Sequence, residues 1–235
     1  MHLIYKYLKF IWHNSARLNN KILAELVEPK LEAKILDIGV YKAEMIIDRV
    51  KNIKNPDIYA TDIDKKIIKS CRKLGIKAIK HDAETKLPFK SNFFDLVSAN
   101  QIIEHLLNID MFTEEIHRVL KPKGYLLIST ENLSSWHNLF ALLLGWQAFS
   151  QHLSFKKNIG NPLRLGSLEN FDHAGMHVKI FTLKGLKELL ELYKFKVEFL
   201  FGAGYYPFPP PLSNYLAKFD PRHSAFIGIK ARKIK

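Results

Sequence analysis

Lys34-Ile35-Leu36-Asp37-Ile38-Gly39-Val40-Tyr41-Lys42-Ala43-Glu44 decides how this chain is read. A short apolar run ends on an acid and a glycine, and a helical pattern follows. That order predicts a buried strand over 34–38, a tight turn at Gly39 and a helix over 43–50. In such a turn the N–H groups at the head of the helix approach a ligand closely. A second strand is expected at 58–61, ending on Asp62. An acid at that strand tip is where an α/β nucleotide-binding sheet grips ribose hydroxyls.

The same alternation continues outward. A helix is expected over 64–74, stopped by Gly75, then a strand over 76–79 and a loop over 87–93. A fourth strand over 94–99 runs into Asn100-Gln101. An amphipathic helix over 111–120, a stop and turn at 121–124, and a strand over 125–129 follow. Strands alternating with helices predict a parallel sheet covered on both faces. Upstream, two helical patterns, 1–10 and 18–27, read as a cover over the ligand. Downstream, 133–172 is irregular with an apolar head. A helix over 183–193 then leads to two strands, 196–201 and 225–231. Only a Gly-, Tyr- and Pro-rich loop is expected between them, so they are expected to pair as an antiparallel edge.

A chain of 235 residues, 47% apolar, makes one domain with a sizeable core. The single cysteine, Cys71, excludes an internal disulfide and a cysteine-rich zinc site. No secretory leader pattern is visible, and no apolar run approaches the roughly 20 residues of a membrane span. A cytoplasmic location is the expectation. The net charge of +13 fits either an anionic partner or a lysine-rich, well-solvated surface. The basic residues are dispersed and not interleaved with aromatics, so tight nucleic-acid binding is not expected.

Five stretches, in order, resemble the class I S-adenosylmethionine-dependent methyltransferases of the broad small-molecule group. They are I-L-D-I-G (35–39), A-T-D-I-D (60–64), H-D-A-E-T-K-L-P-F (81–89), F-F-D-L-V-S-A-N-Q-I-I-E-H-L (93–106) and I-H-R-V-L-K-P-K-G-Y-L-L-I-S-T-E-N (116–132). Each alone is weak, and together they are specific. The resemblance implies a Rossmann-like, seven-stranded, mostly parallel sheet with an antiparallel C-terminal edge. It divides a single domain into a helical cover (1–30), a cofactor-binding core (31–132), a substrate-facing insert or lid (133–178) and a C-terminal helix with strands (179–235).

The resemblance also implies roles around S-adenosylmethionine. Asp37 would orient the methionine amino group, and the chain would turn under the cofactor at Gly39. Asp62 would hold the ribose hydroxyls, with Ile63 against the adenine. Asp82 would accept from the adenine amino group, with the N–H of Ala83 near the ring. Asn100 would offer its carbonyl to the methionine ammonium. Tyr41 and Ala43 stand where the family usually has glycines. Tyr41 is expected to pack outward at the pocket mouth, with cofactor binding retained.

Methyl transfer to a hydroxyl needs a base, and histidine serves near neutral pH. The candidates are His177 and then His105, with His173 beside the first at the end of the insert. Gln101, Glu104 and His105 also resemble the divalent metal cluster of quinone-type O-methyltransferases. The neutral Gln101 removes a hard ligand, so no metal is expected. The leading expectation is methyl transfer to a small-molecule, glycan or lipid-linked hydroxyl, with an anionic part of the acceptor facing the lid's lysines and Arg164. Peripheral membrane contact through 136–149 belongs to the same reading. RNA methylation and a non-catalytic binding subunit are the alternatives.

Overall fold

The computed structural model describes residues 2–154, 156–163 and 176–234. Its centre is a seven-stranded sheet: β1 Lys34–Ile38, β2 Asp57–Asp62, β3 Lys77–Lys80, β4 Phe94–Asn100, β5 Leu120–Glu131, β6 Phe195–Ala203 and β7 Phe226–Lys233. The order across the sheet is β3-β2-β1-β4-β5-β7-β6. β1 to β5 pair in parallel, and β7 lies antiparallel between β5 and β6. The chain therefore crosses from the β1–β3 half to the β4–β6 half between β1 and β4. At such a switch point an open α/β sheet leaves a crevice beyond the strand ends.

The helices are α1 His2–Glu25, α2 Ala43–Arg49, α3 Lys65–Lys73, α4 Ile109–Val119, α5 Trp136–Leu143, α6 Leu183–Leu192 and α7 Pro210–Phe219. Strand side chains alternate between faces, which gives two cores. On one face Ile35, Ala60, Leu96 and Leu127 pack with Leu23 of α1, Ile46 of α2 and Ile68 of α3. On the other, Leu36, Val97, Leu126 and Ile229 pack with Phe112 and Ile116 of α4 and Leu186 and Leu190 of α6. Among the described residues no helix is long and apolar enough to cross a membrane.

Three expectations change. The cover is one continuous helix, not two. Its polar middle satisfies itself: Asn14, Ser15 and Asn20 each bond the carbonyl four residues back. Second, β5 starts at Leu120, which pairs with Phe94 across an irregular register, so 121–124 belongs to the strand. Third, a helix, α7, lies between β6 and β7. Proline at its first turn costs no hydrogen bond there, because those N–H groups have no partner in any helix. The antiparallel edge forms as expected.

Candidate active site

The strand tips carry a polar layer in which α1 and α2 take part. Asp37, buried near the end of β1, accepts from Arg49 Nη1 of α2 at 2.8 Å, and Arg49 is buried too. The same nitrogen donates to the Ser98 hydroxyl of β4. Burial pushes the Asp37 carboxyl up, and the Arg49 guanidinium pulls against it. Arg49 also reaches Asn20 Oδ1 of α1 at 3.4 Å, and the amide of Asn100 donates to that oxygen at 3.1 Å. Asn19, the neighbouring residue on α1, donates to Asn100 Oδ1 at 2.9 Å and to Ser129 Oγ at 3.0 Å. The cover is thus hydrogen-bonded to β4 and β5 and, through Arg49, to β1.

Gly39 follows in the left-handed region, φ +74°, with its N–H on Thr61 O at 2.9 Å. A side chain there would strike Ile102, 2.9 Å from an added Cβ. Tyr41 points outward and is 73% exposed, its ring under the Lys42 ammonium. Asp62 is half-buried at the tip of β2, and its carboxylate caps the Asp64 N–H at 2.7 Å. Ile63 beside it is half-exposed. Across the β2–β3 pair, His81 N bonds Asp62 O at 3.0 Å. Asp82 is exposed and caps the Glu84 N–H at 2.9 Å, and Ala83 is buried.

Do these residues fit the expected cofactor? Three buried polar atoms at these strand tips lack a partner among the described residues: Asn19 Oδ1, Arg49 Nε and Thr61 Oγ1. Buried polar atoms are rarely left unpaired, and two acceptors with a charged donor suit a zwitterionic ligand bearing hydroxyls. At Asp37 the carboxylate already has a cation, Arg49.

Just beyond Asn100 and Gln101 a second polar cluster gathers. Glu104 and His105 lie in a single 3-10 turn, Ile103–His105. Glu131 ends β5, and His177 returns from the insert. His105 and His177 meet edge to face, ring centroids 4.9 Å apart. His105 Nδ1 lies 2.9 Å from the Met176 carbonyl, which can only accept, so Nδ1 carries the proton and Nε2 is the free acceptor. His177 Nδ1 lies 2.9 Å from Ser150 O and 3.6 Å from Glu131 Oε2. His152 packs on the other side of His177, ring to ring at 5.0 Å.

The charges follow from burial and pairing. Burial, helped by the charge of His177, pushes His105 down to about 4, so it is neutral at neutral pH. Burial would lower His177 as well, but the carboxylates of Glu131 and Glu104 carry it up to about 9. Burial opposes ionisation of Glu131, yet the imidazolium of His177 holds it down at about 2. Glu104 is fully buried, and that pushes it up to about 7, with Thr130 Oγ1 donating to it at 3.0 Å. Gln101, with its amide turned to suit both neighbours, donates to Glu104 Oε1 at 3.1 Å and accepts from Thr130 N.

Glu104, His105 and His177 each offer a ligand atom within 4.8 Å of the others, a spacing that a divalent ion could bridge. The sequence reading had placed Gln101 in that set and left His177 out. It also missed Arg49, Asn19, Asn20 and Glu131. Arg49 could have been noticed, because it falls three residues after Ile46 on the buried stripe of α2. His173 and Arg164 lie outside the described residues.

Residues 36–128 match a family profile described as a methyltransferase domain. The chain is similar to the ubiquinone/menaquinone biosynthesis C-methyltransferase of Neisseria meningitidis, 31% identical over 102 residues. That match covers 40% of this chain and 41% of the relative, so this chain aligns with well under half of that protein. Among solved structures, an S-adenosylmethionine-dependent methyltransferase of Thermotoga maritima superposes with TM-score 0.62 at 17% identity, covering 98% of this chain and 91% of that one. One from Mesorhizobium loti gives TM-score 0.60 at 14% identity, over 91% and 96%. Such low identities speak to the fold alone.

Proposed function

We propose that this chain, whose residues 36–128 match a methyltransferase domain and whose sheet runs β3-β2-β1-β4-β5-β7-β6, acts as a class I S-adenosylmethionine-dependent methyltransferase and methylates a hydroxyl of a small-molecule, glycan or lipid-linked acceptor. The observation that carries the reading is the pair His105–His177 beyond the tip of β4, one ring neutral and the other held as a cation. When bound, S-adenosylmethionine supplies an electrophilic methyl group on a sulfonium.

In this reading the two histidines divide the work. His105 takes the acceptor's proton at Nε2, because Nδ1 is committed to the Met176 carbonyl. His177, paired with Glu131, orders the cluster and offers positive charge to an acceptor oxygen as it becomes anionic. That reverses the order of candidates drawn from the sequence, since an imidazolium cannot act as a base. Asp62 holds ribose hydroxyls, Ile63 and Ala83 border the adenine with Asp82, and Asn100 and Asp37 orient the methionine end with Arg49. Gly39 lets the chain pass beneath, and Tyr41 stands at the mouth. A cytoplasmic setting belongs to this reading, and no metal is assigned a role in it.

The test is transfer of labelled methyl into cell extracts, followed by steady-state kinetics on the acceptor found. His105→Ala should lower turnover by about 10²-fold or more with cofactor affinity unchanged. Full activity in that variant, with loss in His177→Ala, would return the base to His177. Full activity in both would mean an acceptor that needs no protein base.

A further inference from the structure

Two helices are built inside out. α5 buries Asn138 and Ala141 and exposes Trp136, Phe140 and Leu143, the last 84% exposed. Those three recur at i, i+4 and i+7, one face of the helix. α7 buries Ser213 and Ala217 and exposes Leu212, Tyr215 and Phe219, at i, i+3 and i+7. A surface helix normally turns its large apolar stripe to the core. Here the small and polar residues face inward, and the large ones remain exposed.

The two faces and the first turns of α1 converge on one loop. Trp136 Nε1 donates to Tyr205 Oη at 2.6 Å, and its ring stacks on His223 at 4.7 Å. The N–H of Tyr205 is held by Ser213 of α7 at 2.6 Å. Tyr7 of α1 donates to Pro207 O at 3.1 Å, and Tyr7 and Phe10 are themselves exposed.

The charge of the region says what covers it. None of the chain's 23 Asp and Glu residues falls in 1–24, 132–168 or 199–219, although at least one lysine occurs in each. Lys6 and Lys9 flank the exposed aromatics of α1, Lys218 sits in the last turn of α7, and Lys156 and Lys157 follow α5, all exposed. Exposed Trp, Phe, Tyr and Leu framed by cations, with the one carboxylate at their junction, Asp220, taken up by Tyr205 and His223, match an anionic lipid surface. A protein partner would require carboxylates of its own for these lysines, and the large apolar tips would still need a soft, deep medium. We propose that α1, α5 and α7 dock this protein on the surface of an anionic bilayer, with Phe140, Leu143, Leu212 and Phe219 inserted among the acyl chains. The proposal holds whichever acceptor is methylated.

The experiment is sedimentation of the full chain with vesicles of phosphatidylcholine alone and of phosphatidylcholine with an equal part of phosphatidylglycerol, without cofactor. Affinity for the anionic vesicles should exceed that for the neutral ones by about tenfold or more at physiological salt and fall as salt is raised. Phe140→Glu with Leu143→Glu should lower it by at least about tenfold, and so should Leu212→Glu with Phe219→Glu on the other helix. The circular dichroism of both variants should match the parent, because these side chains touch little. Vesicle binding that is absent, or equal in parent and variants, overturns the proposal. A parent dimer that the variants convert to monomers also overturns it, giving the face to a second copy. Calorimetric titration with S-adenosylmethionine, done separately, reports on the methyl-transfer reading and is independent of both results.

Discussion

Two acid–base pairs stand at the carboxyl end of the sheet, one buried and one partly buried, and they behave differently. Asp37–Arg49 joins β1 to α2 through a planar guanidinium that bonds the carboxylate and Ser98 together. Glu131–His177 joins the end of β5 to the insert through an imidazole that titrates. The first pair is anchored on three sides by Ser98, Asn20 and the core beneath. The second is packed among ionisable neighbours, Glu104, His105 and His152. The first is a fixed charge arrangement for holding something in place. The second can gain and lose protons, which is what chemistry at a hydroxyl requires.

The largest expected effect comes from breaking the fixed pair. Arg49→Leu leaves Asp37 buried without its cation and should cost about 3–5 kcal/mol of stability in urea unfolding at neutral pH. Adding Asp37→Leu should recover most of the loss, since an apolar pair of similar volume does as well as a buried ion pair. A loss below about 1 kcal/mol in the single variant would mean that the pair does not hold α2 to β1. The double variant should regain its fold and still bind S-adenosylmethionine poorly.

The titrating pair should show itself as a pH dependence. His177 is raised from 6.5 to about 9 in the fold, so its contribution is fully present below pH 6.5 and is lost as pH rises through 9. Glu131 is lowered from 4.5 to about 2, so its share is present above pH 4.5 and is lost as pH falls through 2. The stability difference between the parent and His177→Gln should therefore peak between pH 4.5 and 6.5, at about 2–3 kcal/mol. It should shrink toward pH 9. A difference that stays flat from pH 6 to 9 would remove the distinction between the two pairs.

Two smaller effects locate the cofactor relative to these pairs. Asp62→Ala should weaken S-adenosylmethionine binding by about 1–3 kcal/mol in calorimetry, the range for leaving polar partners unsatisfied. Unchanged affinity in a folded variant would move the ribose site away from β2. Tyr41→Gly should change affinity by less than about 0.5 kcal/mol, because the ring stands in solvent. A large loss would reveal a contact between that ring and the ligand.

Why was the β1–β5 half legible and the rest less so? A buried parallel strand such as 94–99 is mostly apolar, with only Asp95 and Ser98 polar, and the helices between strands are capped where their polar residues say they are. Asp64 caps α3 and Asn108 caps α4. Those signals are local. α1 runs unbroken through Asn14-Ser15 because tertiary burial of Ser15 and Asn19 outweighs their weak helix preference, and nothing in the local pattern reports that. α7 hides behind Pro209-Pro210-Pro211, which reads as a loop until the prolines are placed in a first turn. Asp62 and Asn100 could be named because they end strands, and Asp82 because it lies just past one. Arg49, Asn19, Asn20 and Glu131 act through partners that lie between 12 and 110 residues away. Spacing along the chain holds no record of such pairs.

Gly204 at the end of β6 has the α1 backbone close above it. A Cβ there would come 2.0 Å from Ser15 Oγ and 2.3 Å from Ser15 Cβ, and φ is +77°. Ser15 is one helical turn from Asn19, so the absence of a single methyl group fixes the height of the ceiling over the strand tips. Any thicker residue at 204 would raise that ceiling and pull two asparagines out of reach of Asn100. The clearance above a prospective cofactor is thus set from the far edge of the sheet, by a residue that need never touch it.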